Sequence, residues 1–257
     1  MVKAVFFDVD GTLISHRQKI VPESTRSALE KLSEKGIKRI LATGRHMIEL
    51  NDLPVRDISF DGYILLNGQL CLDAQGNILS ENPITGAAKE QILALFREAT
   101  VPMMLVEKDR LYINFVNPYV ESAQEAISTP VPDISDYTGN EIYQVVAFVD
   151  RDREKLLSPR FSGCRVTRWN DHAIDIVAAS GGKAAGIQAY LKQNNIKREE
   201  TMAFGDGEND MEMLQYVHIG VAMGNAAPAV KEIADHVTDS VDDEGILAAL
   251  SALGILP

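Results

Sequence analysis

Val5-Phe6-Phe7-Asp8-Val9-Asp10-Gly11-Thr12-Leu13 (VFFDVDGTL) is the stretch on which the fold turns. Its apolar opening reads as a buried strand that stops at two carboxylates, Asp8 and Asp10. Gly11 and Thr12 break the pattern, so both acids are expected at the carboxyl end of a strand, where open α/β sheets bind ligands. Two acids one residue apart are costly unless a positive group sits beside them. Mg²⁺, which typically binds through one or two carboxylates and substrate phosphate oxygens, is the natural candidate. An Asp-x-Asp-Gly string also makes an ordinary turn, and alone it leaves both readings open.

The remaining composition narrows the class. A chain of 257 residues, 46% hydrophobic and 24% charged, suits one large globular domain or two moderate ones. No apolar run is long enough to span a bilayer, and the start MVKAVFFDVDG is too short and too acidic for a signal peptide. A net charge of -12 argues against nucleic-acid or anionic-membrane partners, though a bound cation and one lysine can reverse the local field for a phosphate substrate. Cys71 and Cys164 lack metal or redox spacing and are expected as two buried thiols in a reducing cytoplasm. The five histidines form no metal-type cluster.

Outward from the opening strand, Pro22–Lys35 has helical rhythm and Gly36 as its stop, and Arg39–Ala42 is the next strand, leaving into Thr43-Gly44-Arg45. Strand, helix and strand with so short a crossover imply parallel pairing. Tyr63–Leu66 follows as a strand, and CLDAQGNILS reads as a hairpin. After Pro83 helices and short alternating strands mix, which predicts an inserted α+β unit over residues 83–182. The α/β rhythm returns at Lys183. The expectation is a Rossmann-like, doubly wound parallel sheet built from residues 1–82 and 183–257, interrupted by a cap of ordinary domain size.

Strands ending at Phe7, Ala42 and Phe204 would gather Asp8, Asp10, Thr43 and Asp206 in one cleft. With a cation present, one carboxylate can stay ionised as a nucleophile. Lys183 opens a helix, where a cation opposes the macrodipole, so an anionic partner is expected for it; a solvated lysine is the alternative. Gly182-Lys183-Ala184 is no Walker A loop, lacking the earlier glycine and the following Ser/Thr.

Asp8-x-Asp10-x-Thr12, Thr43-Gly44-Arg45, Lys183 and Gly205-Asp206-Gly207-Glu208-Asn209-Asp210, in this order, resemble the four motifs of the haloacid dehalogenase-like (HAD) superfamily. The insert resembles the C2 cap of its Cof-type, subclass IIB hydrolases, and the likeness covers essentially the whole chain. It implies a Mg²⁺-dependent phosphatase of small phosphorylated metabolites, sugar phosphates or similar monoesters. Asp8 would be the nucleophile that becomes an aspartyl-phosphate, and Asp10 the general acid/base. Asp8, the backbone carbonyl of Asp10, and Asp206 would ligate the metal. Thr43, Gly44, Lys183 and Asn209 would surround the phosphoryl group, with Thr12 and Asp210 in support. Arg45 is expected to brace by an ion pair, Glu208 to be a solvated loop acid, and Asn67 to serve either the site or a turn.

Two other readings share these motifs. A phosphomutase would return the phosphoryl group to a substrate instead of water. A non-enzymatic phospho-acceptor domain fits worse, because Asp10 would shorten the life of the acyl phosphate and a cap would be superfluous. Absence of a membrane span excludes a P-type pump. Specificity is expected to lie in the cap, with Tyr143, Arg168 and Trp169 as candidates.

Overall fold

Strand β1 (Ala4–Phe7) is buried at all four positions, as a central strand covered on both faces must be. In the computed structural model, which describes residues 1–127 and 129–257, the chain forms two units, Met1–Glu81 with Gly182–Pro257 and Asn82–Gly181. The crossings fall at 81/82 and 181/182, one residue before the expected 82/83 and 182/183.

The first unit opens with β1, α1 (Glu23–Glu34), β2 (Lys38–Ala42), the one-turn α2 (Met47–Leu50), β3 (Gly62–Leu65) and the hairpin β4 (Leu70–Asp73) and β5 (Ile78–Glu81). In the second unit come α3 (Gly86–Glu98), β6 (Met103–Val106), β7 (Leu111–Ile113), α4 (Pro118–Ala126), β8 (Gln144–Ala147), α5 (Arg151–Leu157), β9 (Cys164–Asn170) and β10 (Ala173–Ala178). The first unit resumes with α6 (Lys183–Asn194), β11 (Thr201–Gly205), α7 (Met211–Tyr216), β12 (Ile219–Ala222), α8 (Pro228–Ile233), β13 (His236–Val237) and α9 (Gly245–Ala252).

The first sheet has the order β13-β12-β11-β1-β2-β3-β4-β5, parallel from β13 to β3 and antiparallel over the last two pairings. Side chains alternate across it. Ala4, Phe6, Ile40 and Ala203 pack with Ile187, Tyr190 and Leu214 of α6 and α7, while α1 lies on β2 and against α9. This is the Rossmann-like doubly wound core. The hairpin at Cys71–Ser80 extends the same sheet, since β4 pairs with β3 and β5 with β4.

The second unit is an antiparallel sheet of order β7-β6-β8-β10-β9. Ile92, Leu95 and Phe96 of α3 and Leu157 of α5 join Leu105, Val145, Ile174 and Ile176 in one apolar cluster. Val120 and Ala123 of α4 join Val146, Phe148 and Ala173 in another. Of the specificity candidates, Tyr143 is buried. Arg168 spends its guanidinium on Glu154 Oε2 (2.7 Å) and on the carbonyls of Val149, Asn170 and Asp171. Trp169 stays partly exposed, its indole N–H donating to Asp175. Cys71 and Cys164 are free, but only Cys71 is fully buried.

Candidate active site

Register places the acids. Phe7 of β1 pairs with Phe204 of β11 and Leu41 of β2, so Asp8, Asp206 and Thr43 leave three adjacent parallel strands at one edge. Gly182 precedes α6 and Lys183 is that helix's first residue. The Lys183 side chain is 0% exposed, so the solvated alternative does not apply. Its Nζ donates at 2.6 Å to Asp8 Oδ1 and at 2.6 Å to Asp210 Oδ1. Burial alone would lower the ammonium's pKa; the charges of Asp210 and Asp8 outweigh it and hold the lysine charged.

Asp210 is fully buried, and its second oxygen accepts the backbone N–H groups of Asp206 and Gly207. Its negative charge, after burial itself, pushes the Asp8 carboxyl well above the ordinary range, against the pull of Lys183. Asp206 is pushed up to about 6, again by burial first and by Asp210 second. Asp8, Asp206 and Asp210 each offer a carboxylate oxygen, all within 4.8 Å of one another. Three acids against one buried lysine leave a negative excess, and hard oxygen donors at this spacing fit a divalent cation.

Asp206 is itself held from two sides. Thr12 donates its hydroxyl to Oδ1 (3.0 Å), and the Asn225 amide donates to Oδ2 (3.1 Å) and to the carbonyl of Gly11 (2.8 Å). Gly11 has φ +82, and a Cβ there would stand 2.1 Å from Asp206 Oδ2, so only glycine lets the two loops meet. His16 lies close by, and its charge, when present, lowers the Asp206 pKa.

The Asp10 carboxylate is not in that cluster. Arg45 grips it in a bidentate pair, Nε to Oδ2 at 2.6 Å and Nη2 to Oδ1 at 2.9 Å. The brace expected of Arg45 therefore falls on the candidate acid/base. Thr43 Oγ1 accepts the backbone N–H of Arg45 (3.1 Å), which keeps the hydroxyl hydrogen for another acceptor. Gly44 lies against Asn67, whose Oδ1 accepts from Asn209 Nδ2 (3.1 Å). Asn67 also sits in a left-handed turn with Leu66 (φ 54 and 53), tied back to Thr43 and Arg45 by backbone bonds, so the turn that the sequence offered is present at this position. Glu208 is exposed.

Sequence reasoning missed Asn225 as a partner of Asp206. A signal existed: Met223-Gly224-Asn225 leaves the carboxyl end of β12, a fourth parallel strand beside β11.

A parallel sheet that gathers acids at one edge, against the buried lysine that opens α6, fits the phosphoryl-transfer class of site. The model of the haloacid dehalogenase-like hydrolases matches residues 5–250. A Bacillus subtilis (strain 168) protein named "Putative phosphatase YkrA" is 34% identical over 259 residues, covering 99% of this chain and 98% of its own. A solved protein from Geobacillus kaustophilus HTA426 superposes with a TM-score of 0.92 at 31% identity, over 100% of both chains. The HAD subclass IIB sugar phosphatase BT4131 gives 0.85 at 34% identity, over 99% of this chain and 100% of that one. The chain belongs to the haloacid dehalogenase-like hydrolase family, and it is a phosphoric monoester hydrolase. Among the described residues, no helix is long and apolar enough to cross a membrane.

Proposed function

We propose that the chain is a Mg²⁺-dependent phosphatase that hydrolyses small phosphorylated metabolites, sugar phosphates or similar monoesters, through an aspartyl-phosphate on Asp8. The observation that carries this reading is the buried Asp8–Lys183–Asp210 arrangement beside Asp206. It brings three carboxylates and one fixed ammonium to one strand edge, which supports a nucleophile beside metal donors. The sugar-phosphate class rests on the likeness to BT4131.

Mg²⁺, when bound by Asp8, Asp206 and the Asp10 carbonyl, would keep Asp8 ionised and neutralise the transferring group. The Asp8 carboxylate attacks phosphorus, and the ester oxygen leaves with a proton from Asp10. Asp10, now a base, takes a proton from the water that attacks the same phosphorus, releasing phosphate and restoring Asp8. Lys183 has spent two of its three N–H donors on Asp8 and Asp210, and offers the third to a phosphoryl oxygen. Thr43 offers its hydroxyl to another, with the Gly44 backbone and Asn209 completing the cradle. Asp210 anchors Lys183.

The unit Asn82–Gly181 serves as the cap that discriminates among leaving alcohols. Two free cysteines suit a reducing cytoplasm. Purified protein assayed on a phosphometabolite panel, with MgCl₂ and with EDTA, tests the proposal. Metal-dependent phosphate release from a subset of the panel supports it, and full turnover in EDTA after exhaustive dialysis refutes it.

A further inference from the structure

Asn225 engages both its amide donor group and its carbonyl oxygen. One amide donor group reaches two acceptors, the Gly11 carbonyl at 2.8 Å and Asp206 Oδ2 at 3.1 Å. Its Oδ1 accepts the backbone N–H of Val241 at 3.0 Å. Gly11 belongs to the loop that carries Asp8 and Asp10, whereas Asp206 begins the loop after β11. A single side chain thus joins those two loops to each other and to the segment at Val241.

We infer that Asn225 is a positioning residue for the metal site, holding the Asp206 carboxylate in its ligating orientation opposite Thr12. This rests on the proposed binding of a divalent cation by Asp8 and Asp206. Thr12 fixes Oδ1 and Asn225 fixes Oδ2, so the carboxyl plane is set from both ends. Each oxygen keeps a further lone pair for a cation. An amide suits the place because it donates without bringing positive charge. A lysine or arginine there would cancel the field that the cation must meet. The turn has its own support as well: Lys231 Nζ donates to the Gly224 carbonyl at 2.6 Å. Loosening the turn and freeing Asp206 are therefore separable.

The test titrates MgCl₂ alone, without substrate, against the full-length protein and follows the thermal midpoint by circular dichroism. Wild type should gain midpoint with metal, and Asp206→Asn should lose most of that gain. Asn225→Ala should weaken apparent metal affinity by about 10–100-fold, the usual cost of losing such an outer partner. Lys231→Met should lower the metal-free midpoint and leave metal affinity unchanged. If Asn225→Ala fails to fold, Asn225→Ser carries the same test, since serine suits a turn but is too short for Asp206. Wild-type affinity in the Asn225 variant, or equal weakening by Lys231→Met, overturns the inference. A wild type whose midpoint ignores metal, or an Asp206→Asn that responds like wild type, sinks instead the metal reading beneath it.

Discussion

Replacing Lys183 with methionine should be among the most damaging single changes to the core when no metal is present. The ammonium lies 2.6 Å from a carboxylate oxygen of Asp8 and of Asp210, and its side chain is 0% exposed. Removing one partner from a buried ion pair typically costs about 3–5 kcal/mol, because the remaining charge is stranded. Here two acids are stranded at once, and Asp8 already sits well above the ordinary carboxylate range. Asp8 can escape by taking a proton, so the loss in EDTA at pH 7 should stay within about 3–5 kcal/mol and not double. Asp210→Asn on the Lys183→Met background keeps an oxygen for the Asp206 and Gly207 N–H groups and turns an amide toward Asp8. It should regain roughly 1–3 kcal/mol, the cost of leaving a buried polar group unpaired. Urea unfolding followed by far-UV circular dichroism, with amide exchange read on β1 and β11, measures this. Fluorescence does not, because the only tryptophan, Trp169, lies in the other unit. A loss below about 1 kcal/mol, the worth of an exposed pair, would refute the reasoning.

Three further outcomes follow from the same contacts. With EDTA present, the core should lose stability as pH rises. A carboxyl whose folded pKa exceeds its unfolded value stabilises fully below the unfolded value, and that contribution fades as pH passes the folded one. For Asp206, moved from 3.8 to about 6, this is about 3 kcal/mol between pH 4 and 6, so the midpoint gained from MgCl₂ should be larger at pH 7.5 than at pH 5; equal gains count against it. Arg45→Gln should slow turnover of esters with poor leaving groups by about 10–100-fold, less on p-nitrophenyl phosphate. It should add little to Asp10→Asn, itself costing about 10²–10⁴-fold, and full additivity would separate the two residues. Arg168→Met strips Glu154 and three carbonyls of their donor, so the transition seen by Trp169 fluorescence should fall by about 2–4 kcal/mol, while wild-type stability would contradict the contacts.

The parts of this molecule legible in its sequence are those where one local signal decides the outcome. An apolar strand that stops at an acid put Asp8 and Asp206 at strand ends without knowledge of the third dimension. Lys183 was conspicuous because a cation at a helix start works against the dipole. What could not be read was pairing. Asp10 and Arg45 are 35 residues apart, and nothing local says that they share a bidentate bond. Asn225 sits in a turn after a four-residue strand, where asparagine needs no further reason to be. Arg168 and Tyr143 carry chemistry that reads as recognition, yet tertiary contacts turn the first into a brace and bury the second.

The central claim is that Asp8 carries the phosphoryl group, and one measurement addresses it directly. The protein should be mixed with a ³²P-labelled monoester that it hydrolyses, quenched in acid within a turnover and divided, one half digested directly in acid and the other reduced with borohydride before digestion and mass spectrometry. An acid-stable, hydroxylamine-labile label on the peptide spanning Val5 to Leu13 in the first half, Asp8 converted to homoserine with release of the labelled phosphate in the second, and neither in Asp8→Asn, is the expected result. Turnover at the wild-type rate by Asp8→Asn, or label on any other residue, would contradict the account.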